Sequence, residues 1–320
     1  MMTRHIDIFN GDADGICALI QLRLAKPVES QLITGVKRDI ALLQKVEASS
    51  GDQITVLDIS LDRNRSDLDR LISVGAHITY FDHHYAGQIP QSSYLNTVID
   101  ESPDTCTSLL VDRYLNGQYS LWAITAAFGD NLVQVAEQRC IMAHLNSIDT
   151  QKLRQLGELI NYNGYGTQID DLHFHPAKLY QALKQFQDPR EAYDEAPEIT
   201  TLVTGYTEDM EHAKMMIAEI ATSTAAVYRL PDTAWARRAV GVWANDLSQD
   251  FPARAHLIIC PDGENSYTVS VRAAKDHPYG ASAFCRRYPG GGGREAAAGI
   301  NKLPESNLAE LIQAFALAFK

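Results

Sequence analysis

Four places in the first 130 residues combine side chains that hold cations. Asn10-Gly-Asp-Ala-Asp-Gly15 sets carboxylates at Asp12 and Asp14, two residues apart. Oxygen ligands that close together suit a hard or borderline divalent cation, and Gly11 and Gly15 let the backbone turn tightly around it. A strand-to-helix turn with an N-capping Asp has the same composition, so this segment alone carries little weight. Asp82-His83-His84 is more unusual. Two imidazoles beside a carboxylate offer nitrogen ligands, an orienting carboxylate and a donor to a phosphate oxygen. Asp58 and Asp130 complete the set. A lone His in a turn reads best as a surface residue, whereas this triplet joined to three further strand-end aspartates reads as a metal site.

The elements that must position these groups follow from the apolar pattern. Short apolar, β-branched runs end at the aspartates: His5–Phe9 runs into Asp12, Ile54–Leu57 into Asp58, His77–Phe81 into Asp82, and Ala123–Gly129 into Asp130. Between them, residues 18–24, 39–49 and 65–73 carry apolar residues at helical spacing. Strands alternating with helices predict an α/β fold: a doubly wound parallel sheet with helices on its faces. Ligands of such sheets bind beyond the carboxyl ends of the strands, where these aspartates are expected.

At 320 residues the chain is long enough for two domains. An acidic, turn-rich stretch from Glu191 to Pro197 suggests a metal-binding domain over 1–190. A connector follows over 191–228, helical across 207–228, and then a smaller α/β domain with a mixed sheet over 229–320. Strands are expected at 239–243, 256–260 and 266–271, and a last amphipathic helix at 307–319. The active site is expected in the cleft between the domains. Gly290–Gly293 reads as a loop opening a helix, whose bare amides could cradle an anion beside Arg272, Arg286 and Arg287.

The net charge of -12 argues against capture of duplex nucleic acid. Residues 1–224 carry -14 and residues 225–320 carry +2, so the acidic part suits cations and the mildly basic part suits phosphate. No apolar run reaches the roughly 18 residues of a membrane span, and charged Arg4 and Asp7 stand where a signal peptide would be apolar, so a cytoplasmic protein is expected. Cys17, Cys106, Cys140, Cys260 and Cys285 are odd in number and lack a CxxC pair, which points to reduced, structural thiols. Three weaker features read as structural: the pair His173 and His175 beside Pro176, the aromatic segment 161–166, and the hydroxyl-rich segment 104–108 as a helix N-cap that could also reach substrate.

In order and spacing, Asn10–Gly15, Asp58, Asp82-His83-His84 and Gly129-Asp130 resemble the metal-binding motifs of the DHH phosphoesterases, a family with nanoRNases, RecJ exonucleases and pAp phosphatases among its members. Val269–Arg272 and Gly290–Gly299 resemble the glycine-rich substrate motif of the DHH-associated domain. The resemblance implies two divalent cations, manganese with magnesium or cobalt as substitutes. Asp12 and Asp58 would hold one, while Asp14, Asp58, His83 and Asp130 hold the other. Asn10 is a candidate further ligand, His84 a donor to phosphate, and Asp82 an orienting group for His83. Arg272, Gly291, Gly292, Gly293 and Arg294 would bind substrate. The chain departs from the family pattern at Ile8 and Asn10, where relatives carry a His or Asp ligand, and at Arg294, where they carry His.

The expected function is hydrolysis of phosphodiester or phosphomonoester bonds in small nucleotides: short single-stranded oligoribonucleotides, pAp or linear dinucleotides. Two alternatives stand beside it, a polyphosphate or pyrophosphate hydrolase and a nucleotide-binding regulatory protein without turnover. The oligomeric state is open, a homodimer included.

Overall fold

A computed structural model describes residues 3–263 and 265–319. The chain divides between Val203 and Thr204 into two compact units. In the first, β1 (His5–Phe9), α1 (Ala13–Ala25), β2 (Gln31–Ile33), β3 (Gln53–Leu57), α2 (Arg65–Ser73), β4 (His77–Asp82) and β5 (Leu95–Ile99) build the sheet and its nearest helices. The strand order is β2-β1-β3-β4-β5, and every pairing is parallel. Alternation decides the faces. Ile6, Ile8, Ile54, Val56, Ile78 and Tyr80 point to one side, where they pack with Leu42, Leu43, Leu61, Leu68 and Leu71. On the opposite side Asp7 is buried beneath Arg23, and Ser30 Oγ donates to it at 2.6 Å.

Seven helices follow: α3 (Thr107–Tyr114), α4 (Ser120–Gly129), α5 (Val133–Met142), α6 (Ser147–Asn163), α7 (Pro176–Leu183), α8 (Pro189–Glu195) and α9 (Pro197–Lys214). The run Ala123–Gly129, expected as a strand, lies in α4. An apolar run this short has no periodicity to separate a buried strand from a buried helix, and its alanines favour the helix. α4 packs against α1 and α6 through very close backbone contact. A Cβ on Gly157 would lie 2.1 Å from the Thr125 carbonyl oxygen, and one on Gly129 would lie 2.4 Å from Ala13 Cβ. Only glycine permits that approach. Residues 39–49 form a single 3-10 turn, Leu42–Lys45, in place of the expected helix.

The second unit holds β6 (Ile220–Ala221), β7 (Ala225–Arg229), α10 (Ala234–Asp250), β8 (Ala255–Pro261), β9 (Ser266–Arg272), α11 (Ala281–Cys285), β10 (Gly291–Gly293), β11 (Ala297–Pro304) and α12 (Leu308–Ala318). Its mixed sheet runs β10-β11-β9-β8-β7-β6, with β7 and β8 parallel. Two expectations fail here. Residues 239–243 belong to α10, whose buried Ala236, Ala239, Val240, Trp243, Ala244 and Leu247 recur at helical spacing that a five-residue window misses. The expected helical stretch 207–228 ends at Lys214 and gives way to β6 and β7. The glycine run also differs from expectation: it is an edge strand paired with residues 298–300, and no helix start follows it. A Cβ on Gly291 would meet the Cys285 carbonyl oxygen at 1.8 Å, so close approach explains that glycine. No described helix is long and apolar enough to cross a membrane. All five cysteines are free and buried.

Candidate metal centre

Parallel pairing brings the carboxyl ends of β1, β3 and β4 to one edge, and the ladder continues past the strands. Asn10 N–H donates to the Leu57 carbonyl at 3.2 Å and Asp58 N–H to the Phe81 carbonyl at 3.0 Å. Asp12, Asp58 and Asp82 are therefore neighbours by construction. Asp12 caps α1, its Oδ1 accepting from the Asp14 and Gly15 amides at 3.1 Å each. Asp58 adopts a left-handed backbone, φ 60°, a conformation that non-glycine residues hold mainly where the surroundings impose it, as at functional sites.

His83 Nε2 lies 3.4 Å from Asp58 Oδ1 and 3.9 Å from Asp14 Oδ2. His84 Nδ1 lies 4.0 Å from Asp58 Oδ1. Ligand atoms of Asp58, His83 and His84 fall within 4.8 Å of one another, a spacing at which one ion can be held. The structure reassigns Asp82: its Oδ1 accepts from His84 Nδ1 at 2.7 Å, so it orients His84 and not His83. The two rings sit side by side, 4.4 Å between centroids, and only the second reaches back to β4.

Asp14 has a partner invisible at short range. Its two oxygens accept from the Thr107 and Ser108 amides at 2.7 Å each, so it caps α3 from 93 residues away. Thr107 Oγ1 donates to Asp58 Oδ1 at 3.2 Å and Ser108 Oγ to the Asp14 carbonyl at 2.8 Å. The hydroxyls of segment 104–108 thus hold Asp14 and Asp58 in place. Each Asp14 oxygen retains a second lone pair for a cation. Asp130 ends α4 as its C-cap.

Lys37, which the motifs do not include, reaches into the same cluster. Its Nζ lies 2.7 Å from Asp12 Oδ2, 3.0 Å from Asn161 Oδ1 and 3.6 Å from Asp130 Oδ1. Asn10, the candidate further ligand, supports this loop: Nδ2 donates to the Lys37 carbonyl at 3.4 Å. The only sequence signal was a Lys-Arg pair in an otherwise acidic half.

Electrostatics shows what the cluster lacks. Asp12, Asp14, Asp58 and Asp82 are each no more than 2% exposed. Burial, then Asp14, Asp12, Asp130 and Asp82, push the Asp58 carboxyl well above its ordinary range. Burial also raises Asp130, with Lys37 opposing and Asp14 and Asp12 adding to the rise. Burial acts upward on Asp12 too, but the Lys37 ammonium, the Gly15 amide and Asp58 together outweigh it and leave Asp12 lowered. Carboxylates buried together demand cations. The donor set fits a borderline divalent ion such as manganese: carboxylate oxygens with imidazole nitrogen, plus buried Asp82 Oδ2 and Asn10 Oδ1 with no hydrogen-bond partner.

The expected substrate residues lie in the second unit. Arg272 lays its guanidinium across α10 and β9, donating to Asn245 Oδ1 at 2.8 Å, Ser270 Oγ at 3.0 Å and the Gly241 carbonyl at 3.3 Å. Gly291, Gly292 and Gly293 form β10, and Arg294 follows them with an exposed side chain. His173 and His175 are structural: His173 Nε2 meets the Tyr162 hydroxyl at 2.8 Å, and His175 caps α7. Tyr162 is buried and closed to any base.

No known protein family's model matches the chain, and no curated protein sequence matches it. Solved structures do. A RecJ exonuclease bound to manganese matches at 18% identity and TM-score 0.53, over 98% of this chain and 90% of that one. The RecJ of Thermus thermophilus in complex with Mn2+ matches at 18% identity and TM-score 0.62, over 99% of this chain and 52% of the longer RecJ chain. CDC45 from Entamoeba histolytica matches at 7% identity and TM-score 0.50, over 99% of this chain and 95% of that one. With a parallel five-stranded sheet, a separate mixed six-stranded sheet and the Asp-His-His triplet at the end of β4, this chain has the fold of the DHH phosphoesterases.

Proposed function

We propose that the chain is a manganese-dependent phosphoesterase that hydrolyses phosphodiester or phosphomonoester bonds of small nucleotides: short single-stranded oligoribonucleotides, pAp or linear dinucleotides. One observation carries this reading: five aspartates and two imidazoles converge at one edge of a parallel sheet with too little positive charge to balance them. The manganese-bound RecJ structures share the fold. The acidic balance favours a short substrate over a long strand drawn along a basic channel.

Asp12, Asp14, Asp58, His83 and Asp130 would hold two divalent cations, with Asp58 between them. Bound metal supplies a water of lowered pKa and positive charge for the attacking and leaving oxygens. The chain's own residues do the rest. Thr107 fixes one Asp58 oxygen, and the amides of α3 fix Asp14. Asp82 accepts from His84 Nδ1, which leaves Nε2 as the atom to donate to a phosphate oxygen. Burial lowers the His84 pKa, yet the Asp82 hydrogen bond and the charges of Asp82, Asp14 and Asp130 together outweigh it and favour the donating form.

Asp82→Asn is expected to lower manganese-dependent hydrolysis by about 10–100-fold, as loss of an orienting partner does. The variant's kcat should carry the loss, and full activity would return His84 to a surface role. In the second unit, the exposed fork of Arg294 suits a terminal phosphate. Arg294→Ala is expected to raise KM for 5′-phosphorylated dinucleotides by roughly tenfold and to spare a small generic phosphodiester. Equal loss on both would remove Arg294 from substrate binding.

The direct test is hydrolysis by metal-stripped protein, with and without manganese. The panel comprises 5′-phosphorylated di- to pentaribonucleotides, pAp, cyclic dinucleotides and pyrophosphate, with Asp58→Asn as control. Manganese-dependent turnover lost in the control supports the proposal and ranks the substrates. Metal binding with no turnover on any of them would favour a regulatory nucleotide binder.

A further inference from the structure

The ammonium of Lys37 is held where a cation belongs. Three oxygens surround it: Asp12 Oδ2 at 2.7 Å and Asn161 Oδ1 at 3.0 Å within hydrogen-bond reach, and Asp130 Oδ1 as an ion-pair neighbour at 3.6 Å. The placement is built, not incidental. Lys37 N–H donates to the Gly164 carbonyl at 3.0 Å, Asn10 Nδ2 donates to the Lys37 carbonyl, and the ammonium sits 5.7 Å from the centre of the Tyr165 ring. Asn161 is itself fixed, its Nδ2 donating to the Tyr165 hydroxyl at 2.8 Å. By contrast, the other part of the centre faces His83 and His84, with Asp58 within 3.4 Å of His83 Nε2. No described Lys or Arg forms an ion pair with Asp14, Asp58 or Asp82.

We propose that Lys37 is a resident competitor for one of the two metal positions, so that the two divalent cations bind in order and with unequal affinity. This rests on the metal-dependent reading above. The first ion takes Asp58 with His83 and Asp14, where no fixed cation stands. The second, at Asp12 and Asp58, must displace the Lys37 ammonium from Asp12, and that displacement weakens it. The device makes occupancy of the second position depend on free metal concentration. It also leaves the centre partly neutralised when that ion is absent.

Manganese titration of the metal-free protein tests this, followed by calorimetry and by electron paramagnetic resonance, which separates a lone Mn(II) from a spin-coupled pair. Wild-type protein should show a lone-ion signal up to one equivalent, with the coupled pair growing only at higher manganese. Lys37→Met should tighten the second step by about tenfold or more and leave the first within a factor of about two, since removing a nearby positive charge acts mainly on the ion closest to it. Lys37→Arg, which keeps the charge, should keep the weak second step. Should Lys37→Met fail to fold, the wild-type titration and the Arg variant still decide. Two equal steps in wild type, or an unchanged second step in Lys37→Met, would overturn the inference. A wild-type protein that binds no manganese would instead overturn the phosphoesterase reading beneath it.

Discussion

Asp58→Asn is expected to lower manganese-dependent hydrolysis on the order of a thousandfold while raising the melting temperature of the metal-free protein. Loss of the carboxylate proposed to lie between two cations removes several kcal/mol of transition-state stabilisation, at tenfold per 1.36 kcal/mol. The stability gain has the opposite origin. Burial and four neighbouring carboxylates hold the Asp58 carboxyl well above its ordinary range in the folded protein. Below the unfolded value both states bind the proton, and the folded state loses nothing. As pH rises past that value the unfolded chain ionises first, and stability falls. At neutral pH the metal-free wild type therefore carries a strain that Asn lacks.

Asn also keeps an acceptor for Thr107 Oγ1 and tolerates the left-handed backbone at φ 60°, where Ala would add a conformational penalty. Thermal unfolding in chelator should show the variant a few degrees above wild type at pH 7.5, with the gap closing towards pH 4. Saturating manganese should reverse the order. A variant that retains turnover would remove Asp58 from the metal centre. One that melts below wild type in chelator at pH 7.5 would refute the charge-crowding account.

Asp14→Ala is expected to be the most destabilising single change in the centre. Its carboxylate satisfies two α3 amides, both buried, and places a negative charge at a helix N-terminus. Each buried N–H left unpaired costs about 1–3 kcal/mol, so the loss of both should reach roughly 2–6 kcal/mol. In a unit of this size that lowers the melting temperature on the order of 10 °C. The drop should persist with and without manganese, because the capping role does not need the ion. If chelator abolishes the difference between variant and wild type, Asp14 acts through metal alone. Separating the two roles matters for any alanine scan here, since loss of activity in Asp14→Ala would otherwise be assigned entirely to metal binding.

Much of the centre was legible in the residue order, for a definite reason. Parallel strands with helical crossovers put their carboxyl ends on one edge, so aspartates placed after His5–Phe9, Ile54–Leu57 and His77–Phe81 had to meet. That argument needs only apolar alternation and the residue following each run. It failed at Ala123–Gly129, where Asp130 arrives at the end of a helix. A run that is apolar on all sides has no face to read, and the glycine contacts that seat α4 against α1 and α6 lie in other segments. It failed again at 239–243, a slice of α10 too short to show its period.

Residue order therefore settled the fold class, the two-carboxylate loop and the Asp-His-His triplet, because each is local or follows from strand direction. Tertiary packing decided the rest. It chose His84 over His83 as the partner of Asp82, a choice set by which ring turns back towards β4. It made Asp14 the cap of a helix 93 residues away. It also brought Asn161 to Lys37, 124 residues away, and set the Lys37 ammonium on Asp12. Burial is the common cause: charge removed from water must find its partners wherever the chain can bring them, and that distance is not written in any local spacing.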